Sequence, residues 1–204
     1  VEPYIGDWAL PGNFVEFEED LDEAAARVLE QLTGLKDVYL EQVKTFGGSN
    51  RHPFGRAITI AYYSLIKSNN AKLKASSIAN DVAWHSVRSV GILPFDHNEI
   101  LNTCLERLKS HVRAKPVGFE LLPRKFTLTE LQSLYEAILD TDLDKRNFRK
   151  KILSMDLLVD LKELQEGVAH RPAKLYRFDK YKYELFLAQG YNFELKESRK
   201  KING

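Results

Sequence analysis

The chain has almost no cysteine, and that narrows its chemistry. A single cysteine among 204 residues, Cys104, forbids an internal disulfide and offers no thiolate cluster for a metal, as expected of a reducing, cytoplasmic setting. It also lacks any apolar run near the roughly 20 residues that cross a bilayer, so no membrane partner is expected. No secretory signal can be read in it either. Nor is there an excess of one charge. Thirty Lys and Arg stand against 29 Asp and Glu, a net +1, so binding to nucleic acid has to come from a local patch. At 204 residues the chain has room for one large domain or two small ones, with a core.

The most telling absence lies between Trp8 and Leu35. Asn13, Glu19, Arg27, Leu29, Gly34 and Leu35 keep the spacing of G-x₅-E-x₇-R-E-U-x-E-E-x-G-U, where U is a bulky aliphatic residue. The stretch resembles a Nudix box, which in its family builds a loop-helix-loop that holds divalent cations against a diphosphate. Asn13 stands where the opening glycine belongs. Val28, Gln31 and Leu32 stand where three glutamates belong. A hard cation such as Mg²⁺ takes carboxylate oxygens, and residues 28, 31 and 32 share about one turn of helix, so glutamates there would converge on one ion. Valine and leucine offer no oxygen, and glutamine offers a neutral one. Glu30 does not substitute, because it sits about 100° around the helix from residue 31. The reading is a retained scaffold with its metal chemistry disabled: no catalytic residue, no metal and no cofactor. The alternative is a divergent hydrolase of ADP-ribose or a related nucleoside diphosphate sugar, working through Glu16, Glu18 and Glu19.

Along the chain, Leu21, Ala24, Ala25, Val28, Leu29 and Leu32 give residues 20–32 the spacing of an amphipathic helix that ends at Gly34. Residues 38–46 alternate loosely and lead to the turn Gly47-Gly48-Ser49-Asn50. Residues 56–66 are rich in β-branched and aromatic side chains and read as a buried strand, and residues 80–86, around Val82 and Trp84, as a shorter one. Residues 100–112 return to helical spacing. Ala114-Lys115-Pro116-Val117-Gly118 is punctuation, which places a domain boundary within 113–122.

The second half is helical before it becomes extended. Thr127-Leu128-Thr129-Glu130 opens a capped helix with an apolar face at Leu131, Leu134, Tyr135 and Ile138. A second helix starts at Asp144, turns Phe148, Ile152 and Met155 inward, and packs five basic residues into positions 145–151. Residues 160–167 are polar and end in a turn, and residues 169–178 form a basic loop running into a strand. Helix, basic helix, basic hairpin is the order of a winged helix-turn-helix. Lys145, Arg146, Asn147, Arg149 and Lys150 are then candidate contacts to bases and phosphates, and His170, Arg171 and Lys174 are candidates at the wing. The competing reading of the basic helix is a solvated face.

Taken together, Trp8-Ala9-Leu10-Pro11-Gly12, Asp22-Glu23-Ala24-Ala25, Thr33-Gly34-Leu35, Phe95-Asp96-His97 and residues 126–136 with 144–151 carry a resemblance over nearly the whole chain. The chain resembles the Nudix-related transcriptional regulators of bacteria. That resemblance implies an α+β fold, a Nudix-like α/β/α sandwich with a mixed sheet over residues 1–113, then a winged helix-turn-helix domain over 122–204. Only seven residues precede Trp8, so strands that precede the box in the family are expected to be missing from this chain. It implies a homodimeric repressor on double-stranded, palindromic operator DNA, released by a small-molecule effector, expected to be a sugar such as L-arabinose, with an ADP-ribose-like compound as the other candidate. Release is expected through a hinge near residues 113–122.

Candidate effector-binding residues are Glu16, Glu18, Arg51, Arg56, Asp96 and His97. Arg51 and Arg56 suit phosphate or sugar hydroxyls but also read as solvated loop arginines. Asp96 and His97 read equally as caps of the following helix. Trp8, Phe14 and Phe46 are assigned to the core, with stacking on a ligand as the other reading. A module that contacts only proteins is the remaining class.

Overall fold

The computed structural model describes residues 6–66, 72–75, 80–116, 119, 121–169 and 171–190. The chain divides into two compact units, Val1–Arg107 and Leu108–Gly204. The division falls inside a helix, upstream of the punctuation at 113–122.

In the first unit, α1 (Leu21–Thr33) starts where Asp20 donates its backbone N–H to Glu23 Oε2 at 3.0 Å. It stops at Gly34, whose φ of 75° no side-chain-bearing residue adopts freely and whose N–H bonds the Glu30 carbonyl. β1 (Leu40–Phe46) and β2 (Thr59–Ser64) pair antiparallel, Leu40 opposite Ser64 and Phe46 opposite Thr59, with an irregularity between Gln42 and Lys44. These two strands make the unit's sheet among the described residues. α2 (His97–Ala114) supplies Ile100 to a small core with Phe46 and Ala61, against which Leu10 and Cys104 pack.

Three expectations need correction here. Residues 80–86 form no strand, and Trp84 is 56% exposed; alternating side chains make a strand only where a neighbouring strand takes the amides. The strand expected over 56–66 is confined to Thr59–Ser64 and buries Ala61 and Tyr63 alternately, so it is half-buried. Phe46 is a core residue, but Trp8 and Phe14 are exposed, Trp8 meeting His85 edge-on at 4.6 Å.

The second unit is built from α3 (Leu128–Leu139), α4 (Lys145–Ser154), β3 (Leu158–Leu164), β4 (Lys174–Phe178) and α5 (Lys180–Ala188). Thr127 and Glu130 close a reciprocal cap: Glu130 N–H donates to Thr127 Oγ1 and Thr127 N–H to Glu130 Oε2. The α3–α4 turn is pinned by side chains. Gln132 Nε2 donates to the Leu143 carbonyl at 2.9 Å, and Leu143 N–H donates to Glu136 Oε1 at 3.0 Å. Asp144 caps α4 by accepting from Asn147 N–H. Phe148 and Ile152 then face a core with Phe126, Leu131, Tyr135 and Leu157. β3 and β4 form an antiparallel hairpin. Phe126 pairs with Tyr176 of β4 through reciprocal backbone bonds.

Candidate functional site

The box loop is tied to α1 by one side chain. Arg27 reaches out of the helix to Glu19, to the Phe14 carbonyl at 3.0 Å and to Gln31 Oε1 at 3.1 Å, and it pairs with Glu16 at 3.3 Å. Glu19 also accepts the N–H of Glu16, and these bonds, the Arg27 one foremost, hold its carboxyl down to about 2. Arg27 is raised in turn. Gln31, at a glutamate position of the box, is therefore a ligand of arginine. Among the described residues no group of three His, Cys, Asp or Glu side chains is arranged to hold a metal ion.

Beneath this loop lies a cavity of about 720 Å³. Its walls are α1, β2, the 9–15 loop, Arg51 and His52, and the start of α2. Val28, another box glutamate position, lines it. Arg51 is the one permanently charged side chain among the described residues of the lining. Asp96 grips Arg51 from outside the lining: Nε donates to Oδ2 at 2.8 Å and Nη2 to Oδ1 at 2.7 Å, with both side chains nearly buried. The carboxylate grips the guanidinium while the Asp96 backbone carbonyl accepts the Ile100 N–H at the start of α2, and the Nη1 edge of the fork is left over. Beside this pair His52 stacks on Phe95 at 5.0 Å, and Phe54 meets His52 edge-on. Phe95 takes a left-handed backbone, φ 55°, on the cavity wall, a strain on the order of 1–3 kcal/mol. His97 Nδ1 accepts the N–H of Leu10 at 3.1 Å, and burial lowers its pKa. Cys104 also lines the cavity, its thiol pushed up by burial.

The structure thus brings together Arg51, Asp96 and His97. Glu16 is on Arg27, while Glu18 and Arg56 are exposed and outside the cavity lining. Sequence reasoning missed His52 and Phe95 as a stacked pair. The adjacency Arg51-His52 and Phe95-Asp96 was the available signal, since two neighbouring residues on each side meet two on the other.

In the second unit, Lys145, Arg146, Asn147 and Lys150 are exposed on α4. Arg149 is half-buried, and its Nη2 donates to Thr129 Oγ1 at 2.9 Å, fastening α4 to the start of α3. Lys174 lies 3.3 Å from Asp160, which Lys162 also approaches at 3.2 Å. Hydrogen bonds from the Lys162 backbone and side chain, then from Lys174, hold Asp160 down to about 2. Arg171 is exposed; His170 lies outside the described residues.

A box-bearing α/β unit with a ligand-sized cavity, followed by a winged helix with a basic second helix, defines a DNA-binding regulator with a Nudix effector domain. The NUDIX domain family matches residues 2–108, and the NrtR DNA-binding winged helix domain matches residues 118–178. The ADPR responsive transcriptional repressor NtrR of Acinetobacter baylyi is 36% identical over 186 residues, 89% of this chain and 74% of that protein. The crystal structure of Shewanella oneidensis NrtR superposes with a TM-score of 0.69 at 30% identity, covering 87% of this chain and 82% of that one. The structure of that protein complexed with a 27mer DNA superposes with a TM-score of 0.67 at 27% identity, covering 96% and 89%. The chain belongs to the NrtR family of Nudix-related transcriptional regulators. No helix among the described residues is long and apolar enough to cross a membrane.

Proposed function

We propose that this chain is a transcriptional repressor whose Nudix unit binds ADP-ribose without hydrolysing it, and whose α4 reads an operator. The observation that carries the reading is a cavity that keeps a ligand-sized volume while Val28 occupies the box position facing it. An apolar wall there suits binding and offers no oxygen for a cation. The A. baylyi relative is ADPR responsive, which favours ADP-ribose as the effector here over the expected sugar such as L-arabinose.

Arg51 is the diphosphate anchor. Its Nε and Nη2 are occupied by Asp96, so the guanidinium is held in one orientation before ligand arrives and the Nη1 edge donates to a phosphate oxygen. Asp96 is the positioning residue behind it. His97 holds the 9–15 wall by accepting from Leu10. On the DNA side, Arg146, Asn147 and Lys150 reach base edges, Lys145 and Arg171 touch phosphates, and Lys174 is tempered by Asp160. The repressor acts as a homodimer on a two-fold operator in the cytoplasm, with half-sites about 34–36 Å apart or a multiple of that.

The test is a gel-shift and thermal-shift pair on the full chain. ADP-ribose is expected to raise the melting temperature and to release a fragment of the gene's own upstream region, while L-arabinose does neither. Release of AMP from ADP-ribose with Mg²⁺ at ordinary enzymatic rates would instead establish the hydrolase reading.

A further inference from the structure

Leu153 is out of place on α4. The helix buries its apolar residues Phe148 and Ile152 on one side, yet Leu153 is 46% exposed. At 100° per residue, Arg146, Lys150 and Leu153 fall on one stripe within about 60° of one another, on the side away from Phe148 and Ile152. Arg149, the other residue of that neighbourhood, is drawn back to Thr129. The outward stripe of α4 therefore reads cation, cation, leucine.

We infer that Leu153 is a specificity-determining residue that packs on the 5-methyl group of a thymine in the major groove. The inference rests on the reading of α4 as the recognition helix. The occupant follows from the flanking charge: Arg146 and Lys150 fit a surface of phosphates and guanine edges, and within the major groove the apolar feature of a base pair is the thymine methyl. Leu153 lies about 4.5 Å along the helix axis from Lys150. Burying one methyl group is worth about a fourfold change in affinity.

The experiment is selection from a random duplex pool with the full chain and with Leu153→Ala, followed by titration of the selected duplex with that thymine replaced by deoxyuridine. The parent is expected to enrich a thymine at one position per half-site and to lose about fourfold on the uracil duplex. Leu153→Ala is expected to lose that preference alone and to bind both duplexes equally. Because the uracil comparison uses the unmodified protein, a folding defect in the variant does not affect it. An enriched motif with no thymine preference, or equal parent binding to both duplexes, overturns the inference and leaves the recognition helix standing. An unenriched pool overturns both.

Discussion

Arg27 and Glu19 meet through a two-pronged hydrogen bond, Nε to Oε2 at 2.8 Å and Nη2 to Oε1 at 2.5 Å, across eight residues of sequence. The folded state prefers the ionised Glu19, whose carboxyl is held at about 2 against an ordinary value of 4.5. Its contribution is complete above pH 4.5 and disappears as the pH falls through about 2. Thermal melts from pH 5 to pH 2 should therefore fall more steeply for the parent than for Glu19→Gln. Equal slopes would show that the box loop does not draw stability from this pair. Asp160 titrates in the same range and remains in both proteins.

His97 acts in a different window. Its Nδ1 must be unprotonated to accept from Leu10, and burial lowers its pKa below the usual 6.5. The stabilisation is fully present above pH 6.5 and is lost as the pH falls from there through the lowered native value. The melting temperature of the parent should drop between pH 7 and pH 5. His97→Asn, which keeps an acceptor and removes the titration, should flatten that drop. A parallel pair of curves would count against the assignment.

On α4 the basic residues separate by their surroundings. Arg146→Ala and Lys150→Ala should each weaken operator binding and, where a phosphate contact is lost, reduce the slope of log K against log[salt] by about one. Arg149→Ala should instead lower stability by about 0.5–1.5 kcal/mol, since it removes the hydrogen bond to Thr129. Urea denaturation beside a salt titration distinguishes the two. An Arg149→Ala protein of parental stability would place that side chain elsewhere.

Tyr135 is fully buried, and its hydroxyl has no hydrogen-bond partner among the described residues. A desolvated, unmade hydrogen bond costs about 1–3 kcal/mol. Tyr135→Phe should therefore stabilise the second unit, raising the urea midpoint, whereas a loss of stability would reveal a partner for the hydroxyl.

Much of this fold was legible because its signals were local. Gly34 closing α1, Thr127 with Glu130 opening α3, and Phe148 with Ile152 turned inward on α4 are each set by residues within a turn or two. The expected strand at 80–86 has no pairing neighbour among the described residues, and pairing is a property of another segment. The cavity was half legible. Arg51, Asp96 and His97 are legible as candidates from their chemistry and their loops. That Asp96 grips Arg51 across 45 residues, and that Leu10 caps His97 across 87, depends on long-range packing that no spacing encodes. Glu18, a candidate hydroxyl acceptor, and Arg56, a candidate for phosphate or sugar hydroxyls, stand in solvent. In sequence Arg149 and Lys174 are simply cations; the structure gives each a partner inside the protein.

Gly34 is constrained twice over. A Cβ there would stand 3.1 Å from Lys74 Cβ, and the backbone is already left-handed. Neither constraint involves a metal or a phosphate. The residue that most visibly marks the box is required by the packing of the helix end alone. A glycine at this place is thus a record of architecture.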